Sequence, residues 1–168
     1  MKMKYPRTPH LSWSRPDETD IWMEEEFPPL TQVVVTEKLD GENTSVYRDG
    51  TCHARSIDSR SHPSRHMARA KAAEVGPQLS SGYVLLCENM YAKHSISYES
   101  LEGYLYVFGA RFNDVFLSWE EVEDISKYLG LPTTPLYGKG SGETLNMRMC
   151  GQGVALLVRR VKDMLYAT

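Results

Sequence analysis

The chain has 168 residues, 41% of them hydrophobic and 24% charged, with a formal net charge of −3. That length supports one domain with a sizeable core, and the composition excludes disorder and low complexity. The slight acidity excludes a generally basic nucleic-acid-binding surface, while leaving room for a local cationic groove.

Cys52, Cys87 and Cys150 are scattered and odd in number, which fits reduced thiols and a cytoplasmic location. Lys2 and Lys4 precede Pro6 and Pro9 rather than an apolar segment, so no signal peptide is expected. No run is long enough to span a bilayer, so no membrane partner is expected.

Residues 1–30 read as an irregular N-terminal arm, with Trp13, Trp22 and Phe27 as anchors and Glu24-Glu25-Glu26 as a solvated face. The remainder, 31–168, reads as the domain proper. It opens on a β-branched run, Val33-Val34-Val35-Thr36, which rises into Glu37-Lys38, breaks at Asp40-Gly41 and resumes as Thr44-Ser45-Val46-Tyr47. Asp-Gly suits positive φ, so the expectation is a buried strand, a tight turn and a second strand. Asp49-Gly50 is a second turn signal, followed by a short strand over 51–55.

A helix is expected over 63–75, entered at Pro63 and stopped by Gly76-Pro77. Cys52 and His53, with His62 and His66, invite a zinc site. Structural zinc wants four ligands in closely spaced pairs, and the second cysteine is missing, so surface histidines are the expectation. Arg55, Arg60, Arg65, Arg69 and Lys71 form a basic cluster that suits phosphate or RNA contact, or simply a solvated helix face.

Tyr83–Cys87 has a buried-strand pattern, and 104–108 alternates so that Tyr104, Tyr106 and Phe108 share one face. Asn113-Asp114 signals a turn before a short strand over 115–117. Ser118-Trp119-Glu120-Glu121 is a capping box opening a helix over 119–129, ended by Gly130 and Pro132. Residues 133–142 read as a loop, 144–149 as a short helix and 154–158 as a strand.

A lysine beside two acids at a strand end has no evident structural purpose. The order Glu37-Lys38-Leu39-Asp40-Gly41-Glu42-Asn43, then Ala54-Arg55-Ser56, then Glu88 to Ile96, then Tyr104 to Gly109 resembles the ATP-dependent RNA ligase family of covalent nucleotidyltransferases. The resemblance implies an α+β nucleotidyltransferase domain, an ATP-grasp-like ligase adenylation fold with antiparallel sheets flanking a nucleotide cleft. It implies ATP and Mg²⁺ or Mn²⁺ as cofactors and RNA as partner, whether nicked duplex, single strand or RNA–DNA hybrid. Lys38 would attack the α-phosphorus of ATP. Glu37 would lie beside the adenine, Asn43 and Arg55 would contact phosphates, Glu88 would hold the ribose hydroxyls and Phe108 would stack on the base.

The chemistry asks for the same residue types. A lysine at its ordinary pKa near ~10.4 is protonated and not nucleophilic, so burial or nearby cations must favour the neutral amine. Asp40 and Glu37 would oppose that if paired with it, so they are expected to point elsewhere, at the base or a metal.

The family continues with a Glu-Gly-hydrophobic-Val-x-Arg strand, whose acid sits near the metal, and a Lys-x-Lys type motif. Here Gln152-Gly153-Val154 stands in that place, with Gln152 where the acid is expected, so no metal ligand is assigned. Arg159 arrives late, and Arg160 and Lys162 come too soon to stand for the last motif. The adenylyltransferase domain therefore reads as truncated at its C-terminus. The alternatives are a non-catalytic nucleotide- or RNA-end-binding module, and a capping-type guanylyltransferase using GTP.

Overall fold

A computed structural model describes residues 2–10, 21–22, 31–58, 62–141, 154–159 and 164–167. The chain forms two compact units: Met1–Tyr5 with Leu39–Thr134, and Pro6–Lys38 with Pro135–Thr168.

The first unit is built on an antiparallel sheet of order β3-β2-β4-β5-β6. Its strands are β2 (Glu42–Tyr47), β3 (Cys52–Ala54), β4 (Tyr83–Asn89), β5 (Leu105–Phe112) and β6 (Val115–Phe116). Asp49-Gly50 closes the β2–β3 hairpin as expected. Gly50 takes φ 75°, and the Asp49 carboxylate accepts from the Thr51 N–H at 2.9 Å. Asn113 and Asp114, both at positive φ, make the β5–β6 turn.

One face of this sheet carries the core. Val46, Leu85, Cys87, Val107 and Ala110 are buried there. Helix α1 (His66–Val75), entered through a 3₁₀ turn at Pro63–Arg65, packs on β2 and β3 through Ala68, Ala72 and Val75. Helix α2 (Trp119–Leu129) packs on β5 and buries Trp119, Val122 and Leu129. Both halves of its capping box form, Ser118 Oγ accepting from the Glu121 N–H and the Glu121 carboxylate accepting from the Ser118 N–H. Gly130 ends it in the left-handed region. Ser118→Ala is expected to cost about 1 kcal/mol of stability, read as a lowered melting temperature.

The second unit holds an antiparallel sheet of order β7-β1-β8-β9, from β1 (Gln32–Glu37), β7 (Leu136–Ser141), β8 (Val154–Arg159) and β9 (Met164–Ala167). Three consecutive valines, Val33, Val34 and Val35, are buried, as suits a central strand.

Three expectations are corrected here. Asp40-Gly41 is not a hairpin turn: β1 pairs with β7 and β8, while β2 pairs with β3 and β4, so the dipeptide links strands of different sheets. Leu136–Ser141 is a strand and not a loop. Its two glycines lower its intrinsic preference, but ladder pairing with β1 supplies the hydrogen bonds that hold it. Trp22, expected as an anchor, is 47% exposed and forms an isolated bridge with His10. Trp13, Phe27 and the 144–149 segment lie outside the described residues.

Candidate active site

The face of the first sheet opposite the helices carries three of the six expected site residues, Asn43, Glu88 and Phe108. Alternation along β2 and β4 puts Asn43, Ser45 and Tyr47 on the same side as Val84, Leu86 and Glu88, with Asn43 directly opposite Glu88 and Glu88 opposite Tyr106. The Asn43 Oδ1 is buried and has no hydrogen-bond partner. A buried acceptor of this kind costs about 1–3 kcal/mol if nothing satisfies it, so it points to a group that arrives from outside the chain.

Phe108 sits at an irregularity. Leu86 pairs with Gly109 but Cys87 pairs with Val107, so Phe108 is the extra residue of a β-bulge. Bulges re-aim side chains beside functional sites. The Phe108 ring is half-buried and meets the ring of Tyr5 edge-on, with centroids 5.6 Å apart at 87°. Tyr5 is buried, and Met3 donates from its N–H to the Tyr47 hydroxyl at 3.2 Å. Residues 3–5 thus lie along the same face, against Ser45, Tyr47, Val84, Leu86 and Arg111. Nothing in the sequence singled out Tyr5, because a segment without periodicity gives no sign of what it packs on.

The shared face expected for Tyr104, Tyr106 and Phe108 is broken in a similar way. The strand begins only at Leu105, and Tyr104 is half exposed against Tyr91. Tyr106 is buried in a cluster with Leu39 and Met90.

The Asp40-Gly41 link is held by the polar end of this face. The Gly41 N–H donates to Glu88 Oε1 at 3.1 Å. One Asp40 carboxylate oxygen accepts from the N–H groups of Ser95 and Ile96 at 2.7 and 2.9 Å, and the Asp40 N–H donates to the Tyr98 hydroxyl at 2.9 Å. Desolvation would raise the Asp40 pKa, but those two donors and the nearby His94 together hold it below the usual carboxylate value. Asp40 therefore points into the 94–98 segment, away from base and metal roles.

Gly41 does not adopt positive φ. Its need for glycine is one of space, since a Cβ there would lie 2.6 Å from the Asn89 carbonyl oxygen and 2.7 Å from Met90 Sδ.

Glu37 ends β1 in the second unit, half-buried, its N–H donating to the Pro135 carbonyl at 2.8 Å. Lys38 follows it and is exposed, which leaves nearby cations, rather than burial, to favour its neutral amine. The strand stops one residue earlier, so the side chain falls outside the apolar run. The chain carries Lys38 directly into Leu39, which is buried against Met90 and Tyr106. Arg55 follows β3 and is exposed.

The basic cluster is partly consumed by structure. Arg65 makes a two-nitrogen ion pair with Glu42, and Lys71 pairs with Glu74 one turn on. Arg60 lies outside the described residues, as does Gln152.

Cys52 and His53 are consecutive in a strand and point to opposite faces. The His53 ring bonds Tyr47 Oη at 2.7 Å and the Ala54 carbonyl, so it is a buried structural histidine, not the surface histidine expected. Among the described residues no three His, Cys, Asp or Glu side chains are grouped to hold a metal, and no helix is long and apolar enough to cross a membrane.

Comparison with known proteins bears on the fold and the family. No curated protein matches the chain. Among solved structures, a Naegleria gruberi RNA ligase mutant with ATP and Mn is similar at TM-score 0.61 and 19% identity, over 83% of this chain and 50% of that one. The Naegleria gruberi RNA ligase with PPi is similar at TM-score 0.58 and 21% identity, over 82% and 49%. An archaeal ATP-dependent RNA ligase is similar at TM-score 0.57 and 20% identity, over 82% and 42%. This chain thus spans about half the length of the structures it matches, and at such identities the likeness establishes the α+β nucleotidyltransferase fold. The sequence pattern of the family described as RNA ligase matches residues 31–161. The chain belongs to the RNA ligase family.

Proposed function

We propose that this chain performs ATP-dependent adenylyl transfer of the RNA-ligase type. In its first step the Lys38 amine, as the neutral base, attacks the α-phosphorus of ATP. A P–N bond forms, the bond to the bridging oxygen breaks, and pyrophosphate leaves with that oxygen. A 5′-phosphate oxygen of RNA then takes the adenylyl group from Lys38, and a 3′-hydroxyl displaces AMP to seal the strand.

The observation that carries this reading is the sheet face opposite the helices: Asn43 opposite Glu88, the Asn43 Oδ1 buried without a partner, and Phe108 re-aimed by a bulge. Glu88 is suited to the ribose hydroxyls, since a carboxylate accepts from both. Phe108 offers a ring for the base, and Arg55 an exposed guanidinium for phosphate. Glu37 is assigned to the adenine by resemblance. Among the described residues no three carboxylate, His or Cys side chains are grouped; Mg²⁺ or Mn²⁺ takes few protein carboxylates and relies on phosphate oxygens, so those residues fit a cation carried by the nucleotide. When bound, such a cation offsets the negative charge gathering on phosphorus.

A second reading, a nucleotide-binding module without chemistry, is favoured by Gln152, which cannot supply the anion that the family places near the metal. One experiment separates them: the protein is incubated with α-labelled ATP and Mn²⁺, denatured and assayed for label on the polypeptide. Label is expected. Phe108→Ala is expected to raise the ATP concentration for half-maximal labelling roughly 5- to 150-fold, the range for one lost stacking ring. Thermal stabilisation by ATP with no covalent label would favour the binding module.

A further inference from the structure

The segment between β4 and β5 contributes no residue to the chemistry above, yet it is tied to the Asp40-Gly41 link more firmly than a surface loop requires. Its base is closed by the Met90 N–H donating to the Tyr104 carbonyl at 2.8 Å. Asp40 holds its middle through the Ser95 and Ile96 N–H groups, and Tyr98 and Leu101 pack on the Leu39, Met90 and Tyr106 cluster. The result is an Ω-type loop with its own small core.

From this fixed loop two rings stand out of the packing. Tyr91 and Tyr104 are 49% and 50% exposed, and they meet edge-on with centroids 5.6 Å apart at 74°. Neither belongs to the Leu39 cluster, which is complete without them.

We propose that Tyr91 and Tyr104 form a stacking platform for the unstacked bases of a single-stranded RNA end. This rests on the RNA-ligase reading and names where its substrate lies. Each ring leaves much of its surface open to a base, and held rings lose little freedom on binding. Lys93 and His94 are exposed between them, but so are Glu99 and Glu102. One lysine against two glutamates leaves the loop without net positive charge, so stacking rather than phosphate attraction must supply the binding, and the salt dependence must be shallow. A duplex, whose bases are already stacked, offers these rings nothing.

The test is fluorescence anisotropy of a labelled 5′-phosphorylated single-stranded RNA with the full chain, with ATP labelling run in parallel. Tyr91→Ala/Tyr104→Ala is expected to weaken RNA binding at least about tenfold, with labelling by ATP unchanged. Tyr91→Phe/Tyr104→Phe, which keeps both rings, is expected to bind like the wild type. Equal affinity of wild type and alanine variant overturns the platform, and so does equal competition by blunt duplex. Tyrosine-dependent binding from a protein that takes no label would uphold the platform and count against the ligation chemistry alone.

Discussion

Lys38→Ala is expected to remove all covalent label from the protein incubated with α-labelled ATP, while leaving its melting temperature almost unchanged. Both halves follow from position. The side chain is exposed one residue past the end of β1, and substitutions at such sites usually change stability by no more than about 0.5 kcal/mol. The chemistry has no substitute for the amine, because the P–N bond can form only at a nitrogen free of its proton. Lys38→Arg sharpens the result. Arginine keeps the charge but stays protonated in proteins, so it is expected to be as inactive as alanine. Residual labelling in either variant would place the nucleophile elsewhere.

Gly41→Ala is expected to damage both the stability of the first unit and the labelling reaction. The new Cβ would lie 2.6 Å from the Asn89 carbonyl oxygen and 3.0 Å from Glu88 Cγ. Asn89 cannot retreat: its backbone pairs with Glu42 on one side and Leu105 on the other, and its side chain donates to the Ser64 carbonyl at 3.1 Å. The Asp40-Gly41 link has to move instead, at a cost of about 1–3 kcal/mol, and the Gly41 N–H leaves the Glu88 carboxylate. Lys38 lies three residues upstream on the same chain. A displacement of about 1 Å in a reacting group can cost 100-fold in rate, so labelling is expected to fall on the order of 100-fold. Thermal melts report the first effect and single-turnover labelling the second. A variant as stable and as fast as the wild type would mean that Gly41 is glycine for another reason.

These two positions also show how far the sequence could be read. Local chemistry was legible wherever one signal had one meaning. The Ser118 capping box, the Asp49-Gly50 hairpin and the helix entered at Pro63 all form within a residue or two of expectation. Asp40-Gly41 carried the same signal with a different outcome, since an Asp-Gly pair serves a hairpin or an extended link between sheets equally well. Only strand pairing decides between them. For the same reason Leu136–Ser141 looked like a loop: its glycines describe intrinsic preference, and pairing with β1 overrides it.

The site was legible in kind, less so in arrangement. Asn43 and Glu88 were singled out separately, and antiparallel pairing of β2 with β4 sets them face to face. The bulge at Phe108 and the edge contact from Tyr5 left no trace in periodicity, because each depends on residues far away in the chain. Asp40 was expected at the base or a metal. Its carboxylate instead bonds backbone 55 and 56 residues on, a partner that no spacing rule reveals.

The measurement that bears most directly on adenylyl transfer is peptide mapping of the wild-type chain after incubation with ATP and Mn²⁺. Proteolysis and mass spectrometry should find one AMP adduct, on the peptide containing Lys38, joined by a bond that acid cleaves and alkali spares, as a phosphoramidate requires. An adduct on any other residue, or a folded chain that carries none, would contradict the assignment of Lys38 as the nucleophile.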